Sequence, residues 1–202
     1  MDLLEMNRLA VRTSVRAVEA LPDGALDRPT PCAGWSVGRL LQHMTAQHHG
    51  FAAAATGAGP DLAPWREAPL GADPKGDYAA AADAVLTAFA ADGVLDREVW
   101  LSEITTSRTF RGRVAVSFHL LDYVLHGWDI AVSVGDGERF GGTVGAELVE
   151  ASFEVARTYV PDGPARQRPG AGFGPSVPVP EQAPDFERLL GFLGRDPEWP
   201  AG

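Results

Sequence analysis

The sequence predicts an all-α fold: an antiparallel four-helix bundle with an irregular C-terminal extension and a short terminal helix. Three observations carry this expectation. Four long stretches place apolar residues at helical spacing, and the segments between them are rich in Gly and Pro, which helices do not cross. The fourth stretch, Val114–Val134 (VAVSFHLLDYVLHGWDIAVSV), has no Pro, Lys, Arg or Glu and is apolar nearly all round, so it reads as the buried centre of a bundle. With 202 residues and 45% hydrophobic content, the chain has enough material for one core. It reads as a single domain over 1–202, with the main bundle in 1–135 and a further helix and wrap in 136–202.

Asp2 to Leu21 sets Leu4, Ala10, Val11, Val15, Val18 and Leu21 at mostly helical spacings, interrupted by Arg8, Arg12 and Arg16, which predicts a first amphipathic helix. Leu21-Pro22-Asp23-Gly24 ends it. After the tight loop Thr30–Ser36, Ser36 is placed to cap a second helix from Val37 to about Ala55, with Trp35 packing back toward Leu40. Gly57–Gly76 is a long loop of the kind that borders sites. Asp77–Asp92 is an Ala-rich third helix stopped by Gly93, and Val94–Phe110 lacks helical period and reads as irregular or short extended structure. Beyond the central stretch, Gly135-Asp136-Gly137 is a turn, Gly145–Val160 another amphipathic helix, and Pro161–Pro184 an aperiodic segment. Within that segment Ser176–Pro180 can hold only an edge or extended crossing. Asp185–Leu193 is a short last helix.

Advancing about 100° per residue along the central helix puts His119, Asp122, His126 and Asp129 in one narrow stripe. Solvent stripes are built from Lys, Arg and Glu, so this seam reads as interior, where polar groups need a hydrogen-bonded network or a metal. Asp122 and His126 are spaced i, i+4, about 6 Å apart on one face, and can reach one ion. His119 lies about 10 Å further along the axis and reads as a pocket-wall residue or a plain core histidine. In the second helix, His43 falls at the edge of the apolar face and is the better ligand. His48 sits in the middle of that face and reads first as a hydrogen-bonded core residue, His49 as a surface residue. Arg111 and Arg113, ahead of the central helix, are placed either in solvent or against a ligand carboxylate.

Composition excludes several classes. A net charge of −10 argues against nucleic acid or an anionic membrane as a partner. The absence of an 18-residue apolar run or a basic-then-apolar N-terminus argues against a spanning or exported chain, and the default expectation is cytoplasmic. One cysteine, Cys32, excludes an internal disulfide and a Cys-rich zinc site. There are no repeats, no Gly-rich phosphate loop and no GxSxG elbow.

The segment Thr30-Pro-Cys-Ala-Gly-Trp-Ser-Val-Gly-Arg-Leu-Leu-Gln-His43, the later Asp122-Tyr-Val-Leu-His-Gly-Trp-Asp-Ile-Ala131, and the ending Phe173-Gly-Pro-Ser-Val-Pro-Val-Pro with Leu-Gly-Arg-Asp-Pro197 together resemble the DinB/YfiT-like superfamily. More narrowly, they are similar to its actinobacterial metal-binding branch, related to the N-terminal domain of mycothiol-dependent maleylpyruvate isomerase. The resemblance implies a four-helix bundle holding one divalent ion, zinc or nickel, on a histidine of the second helix and two ligands four residues apart on a later one. Those positions fall on His43, Asp122 and His126. The isomerase has Glu, and many relatives His, where this chain has the shorter Asp122. Three protein ligands leave a coordination position for a thiol or water. The first expectation is therefore an enzyme that presents a low-molecular-weight thiol, mycothiol as cosubstrate, to a small electrophile for S-transfer or isomerisation. In that reading His119 moves a proton, and Arg111 and Arg113 help select the thiol. The alternatives are metal-assisted hydrolysis and a non-catalytic metal-binding stress or accessory protein, compatible with a homodimer.

Overall fold

The computed structural model describes residues 1–168 and 171–200. Its helices are α1 (Leu3–Glu19), α2 (Val37–Ala55), α3 (Pro74–Phe89), α4 (Gly112–Val132), α5 (Gly137–Thr143), α6 (Ala146–Tyr159) and α7 (Asp185–Phe192). Two short strands, β1 (Glu98–Val99) and β2 (Phe110–Arg111), pair antiparallel just ahead of α4. Among the described residues the fold is all-α apart from this hairpin, and no helix is long and apolar enough to cross a membrane.

Local chemistry sets the helix starts. Asp2 caps α1 by accepting from the Glu5 amide at 2.8 Å, and Ser36 caps α2 by accepting from the Arg39 amide at 3.3 Å. Helix α3 begins at Pro74, three residues before the expected Asp77. Asp73 caps it through the Gly76 amide, and a proline at the first helical position loses no hydrogen bond. Helix α4 begins at Gly112, on the hairpin, and not at Val114. The short α5 falls where a turn was expected to lead straight on to α6. Its Gly-Glu-Arg-Phe-Gly-Gly-Thr sequence has little helical propensity, and burial of Phe140 holds it.

The four long helices close a bundle whose two pairs run in opposite directions. Along α1 and α4 the contacts advance together: Asn7 Nδ2 donates to the Val116 carbonyl, and Ser14 packs at Gly127. Along α2 and α3, Phe51 meets Phe89, while Thr45 and Ala80 line one crevice. Helix α2 is antiparallel to α4, for His43 meets His126 and His48 meets His119. Helix α1 is antiparallel to α3, with Ser14 bonded to Tyr78 and Arg12 paired with Asp83. Parallel neighbours in sequence need a long connection, and residues 56–73 between α2 and α3 provide it.

Residues after α4 wrap the bundle. Buried Arg166 donates to the carbonyls of Val160 and Phe192 and so ties the 160s to α7. The expected extended crossing at Ser176–Pro180 is tied to α7 by a backbone bond from the Val177 amide to the Gly191 carbonyl at 2.8 Å. Pro169 and Gly170 of the aperiodic segment lie outside the described residues.

Backbone approaches backbone closely at Gly112, where a Cβ would sit 1.9 Å from the Val94 carbonyl oxygen. Gly112→Ala is expected to lower stability by about 1–3 kcal/mol in urea unfolding, the usual cost of overpacking. Gly142→Ala, with open space around its Cβ, is expected to change it by less than about 0.5 kcal/mol.

Candidate metal centre

The polar seam of α4 divides into two separate networks. Its N-terminal member, His119, is fully buried in the bundle. Asn7 Nδ2 bonds both the Val116 carbonyl (3.3 Å) and His119 Nδ1 (2.9 Å), which makes Nδ1 an acceptor and puts the His119 proton on Nε2. Nε2 then donates to His48 Nδ1 at 3.1 Å, and His48 stacks at 4.0 Å on Tyr123, whose hydroxyl donates to the Met44 carbonyl. Both nitrogens of His119 are occupied by protein. The proton-moving role expected of it has no free ring atom to use, and His119 is a core residue.

The C-terminal half of the seam opens toward α2 and three loops. The antiparallel register brings the His43 ring to 5.6 Å from the His126 ring, nearly perpendicular to it. His43 Nδ1 lies 3.3 Å from Glu67 Oε1, and Glu67 is also paired with Arg39. Trp35 packs edge-on against His43, under the Arg39 guanidinium, instead of acting as a staple for the helix start alone. His126 Nδ1 lies 3.0 Å from Asp129 Oδ2. Each imidazole thus has its Nδ1 committed to a carboxylate, and Nε2 of both makes no hydrogen bond among the described residues. That is how proteins fix the tautomer and aim of metal-binding histidines. Asp122, one turn before His126, is half-buried. Burial pushes its carboxyl up to about 6, against the charge of His126, with Glu103 adding to the rise and Arg195 opposing it. Glu103 itself accepts from Gln47 of α2 at 2.5 Å.

Behind His126, Asp129 is fully buried and held by a two-pronged ion pair, Arg195 Nε to Oδ1 at 2.9 Å and Nη2 to Oδ2 at 3.0 Å. Burial alone would raise the Asp129 carboxyl, but Arg195, followed by His126, holds it down at about 2. Cys32 joins the group: its thiol is 3.3 Å from Asp129 Oδ2, 3.2 Å from Arg195 Nη2 and 3.9 Å from His126 Nδ1. Cys32, His126 and Asp129 therefore form a donor set within 4.8 Å of one another, the one such group among the described residues. Two facts weigh against it. Cys32 and Asp129 both approach the same imidazole nitrogen, and the Arg195 guanidinium already stands where a cation would neutralise them. His43, Asp122 and His126 offer two imidazoles and a carboxylate, donor types that zinc takes.

Burial pushes the His43 imidazole down to about 3, helped by the charges of His126 and Arg39. Burial would also lower His126, but the hydrogen bonds of Asp129 and Cys32 raise it to about 10. His48 and exposed His49 take no part in this site. Arg111 and Arg113 are spent elsewhere: Arg111 pairs with Glu98 and Arg113 with Asp96, about 14 Å of helix rise from Asp122. Those bonds brace the hairpin and replace the ligand-facing role. Cys32, Glu67, Glu103 and Arg195 were not singled out as site residues from the sequence. Cys32 and Arg195 stand inside the Thr-Pro-Cys and Leu-Gly-Arg-Asp motifs, whereas Glu67 and Glu103 carry no local signal.

A model of the mycothiol maleylpyruvate isomerase N-terminal domain matches residues 8–131, more than half of the chain. The chain belongs to this family. The match takes in Cys32, His43, Asp122, His126 and Asp129 and stops before Arg195. Among curated proteins, an uncharacterised protein of Mycobacterium tuberculosis strain CDC 1551 and one of strain H37Rv are each 25% identical over 177 residues, covering 84% of this chain and 85% of theirs. No solved structure matches the chain significantly. Membership of the family supports a mycothiol-related, metal-binding domain, and no particular reaction comes with it.

Two outcomes are expected. Arg195→Ala leaves buried Asp129 with only the His126 imidazole and the Cys32 thiol and should cost about 3–5 kcal/mol in chemical denaturation. Arg113→Ala, at an exposed pair, should cost less than about 1 kcal/mol. Separately, burial holds His48 and His119 neutral in the fold, His119 down to about 3. The unfolded chain takes up protons below about pH 6.5 and the folded core does not. Stability should therefore fall from pH 7 to 5 by up to about 1.4 kcal/mol per pH unit for each such histidine. His119→Gln, which cannot titrate, should shed one histidine's share of that slope.

Proposed function

We propose that this protein is an enzyme that holds one divalent cation, zinc, on His43, Asp122 and His126, and uses it to activate a low-molecular-weight thiol, mycothiol, for S-transfer to, or isomerisation of, a small electrophile. The observation that carries the reading is the meeting of His43 and His126, from different helices, each with Nδ1 held by a carboxylate. When bound, an ion with three protein donors keeps a coordination position for a sulfur ligand and favours its thiolate form.

The chain's own residues do the rest. Glu67 and Asp129 hold the two imidazoles in place through Nδ1. Arg195 cancels the charge of Asp129, so that carboxylate orients His126 without adding net charge to the site. Asp122 supplies the anionic donor. With Glu67 and Asp129 committed to histidines, the remaining carboxylate beside Asp122 is Glu103, held through Gln47, and it serves as the proton acceptor. Trp35 and Arg39 form one wall beside His43.

One observation favours a second reading, a metal-holding accessory protein without turnover. Four cavities of about 300–550 Å³ are lined by residues other than these ligands.

Protein purified without chelators is expected to carry roughly one divalent ion per chain, and His43→Ala and His126→Ala to lose it. Consumption of mycothiol with 1-chloro-2,4-dinitrobenzene should vanish in His126→Ala and fall about 10–100-fold in Asp129→Asn, which leaves the ligands but weakens their support. Metal content without thiol consumption selects the accessory reading. Near-zero metal in the wild type and both variants removes the proposal.

A further inference from the structure

On the other side of α4 lies a cavity of about 550 Å³, within the range of small-molecule sites. It is enclosed by α4, α5, α7 and the segment after Arg195. Trp128 stands two residues beyond His126, about 200° round the helix, so this cavity does not share the wall that carries the histidines.

Its lining combines three aromatic rings, Trp128, Phe186 and Trp199, with three carboxylates, Glu138, Glu187 and Glu198, drawn from three separate segments. No lysine, arginine or histidine is among the residues that line it. Three like charges around one apolar space repel one another, and a cation inside would relieve them. The net charge of −10 deepens the same field. Acidic side chains alone would say only that the surface is solvated. The second observation is the indole of Trp128, 3% exposed, whose N–H has no hydrogen-bond partner among the described residues. That N–H is free to donate to a molecule in the cavity that Trp128 borders. The glycines of α5 keep the space open at that point. A Cβ on Gly137 would come within 3.2 Å of Trp128 Nε1, and one on Gly141 within 3.0 Å of the Phe186 ring.

We propose that this cavity binds an organic cation, an amine or guanidine that also carries a hydrogen-bond acceptor. The positive group sits among Glu138, Glu187 and Glu198 and against the aromatic rings, which attract cations through their faces. The acceptor takes the Trp128 indole N–H. The site is independent of the metal reading and uses none of its residues.

The test is titration of the full chain with choline and with ethanolamine, read by calorimetry and by intrinsic tryptophan fluorescence. The neutral isostere of choline, 3,3-dimethyl-1-butanol, is the control. Saturable binding of either cation is expected with a dissociation constant below about 1 mM, at least about tenfold tighter than the neutral alcohol. Glu138→Gln combined with Glu198→Gln, both exposed positions, should weaken it at least about tenfold. Trp128→Phe should weaken it severalfold while keeping the ring. If Trp128→Phe does not fold, the glutamate variants still decide. Absence of saturable binding to about 10 mM, equal binding of the neutral alcohol, or unchanged affinity in the double glutamine variant would each overturn the proposal.

Discussion

A helix enclosed on almost every side must satisfy its few polar groups from within the protein, because water cannot reach them. Helix α4 lives under this condition, and the rest of the structure is arranged around meeting it. Asp129 is the most demanding of those groups, a carboxylate with no exposure at all. Its countercharge arrives from 66 residues away, as Arg195 on the segment after α7. The C-terminal wrap is therefore tied to the bundle by an ion pair, as well as by Arg166 and the apolar face of α7.

The same condition explains why the polar seam of α4 serves two ends. Near its start, His119 is satisfied by Asn7 and His48 and becomes part of the core, neutral because burial disfavours its charged form. Near its end, His126 is satisfied on one nitrogen only. That asymmetry separates a packed histidine from one with a nitrogen to offer, and it comes from what faces each ring. The antiparallel register of α2 on α4 then decides that His43 meets His126 while His48 meets His119.

Much of the helical plan was legible in the chain because helix periodicity, Ser36 and Asp2 as caps, and Pro and Gly breaks are local signals. Local signals also misled. Pro74 looked like loop, although at a first helical turn it is well tolerated, and the glycines around Phe140 hid α5, which packing sustains. In the site, an i, i+4 spacing sufficed to set Asp122 beside His126, and the edge-of-face position of His43 marked it from its neighbours. Spacing also set His119 apart from His126, since about 10 Å of helix rise separates the two rings, but it did not name the partners of His119.

What the sequence determined by itself was the set of long helices, the apolar character of α4 and the residue types in its seam, all of which follow from interactions within a few turns of chain. What only the tertiary structure decided was which partner each polar group received: Glu67 for His43, Arg195 and Cys32 for Asp129, Asn7 and His48 for His119, Asp96 and Glu98 for the two arginines once placed beside a ligand. The reason is physical. A hydrogen bond or ion pair is made over about 3 Å in space between residues that lie tens of positions apart in the chain, and no periodicity reaches that far.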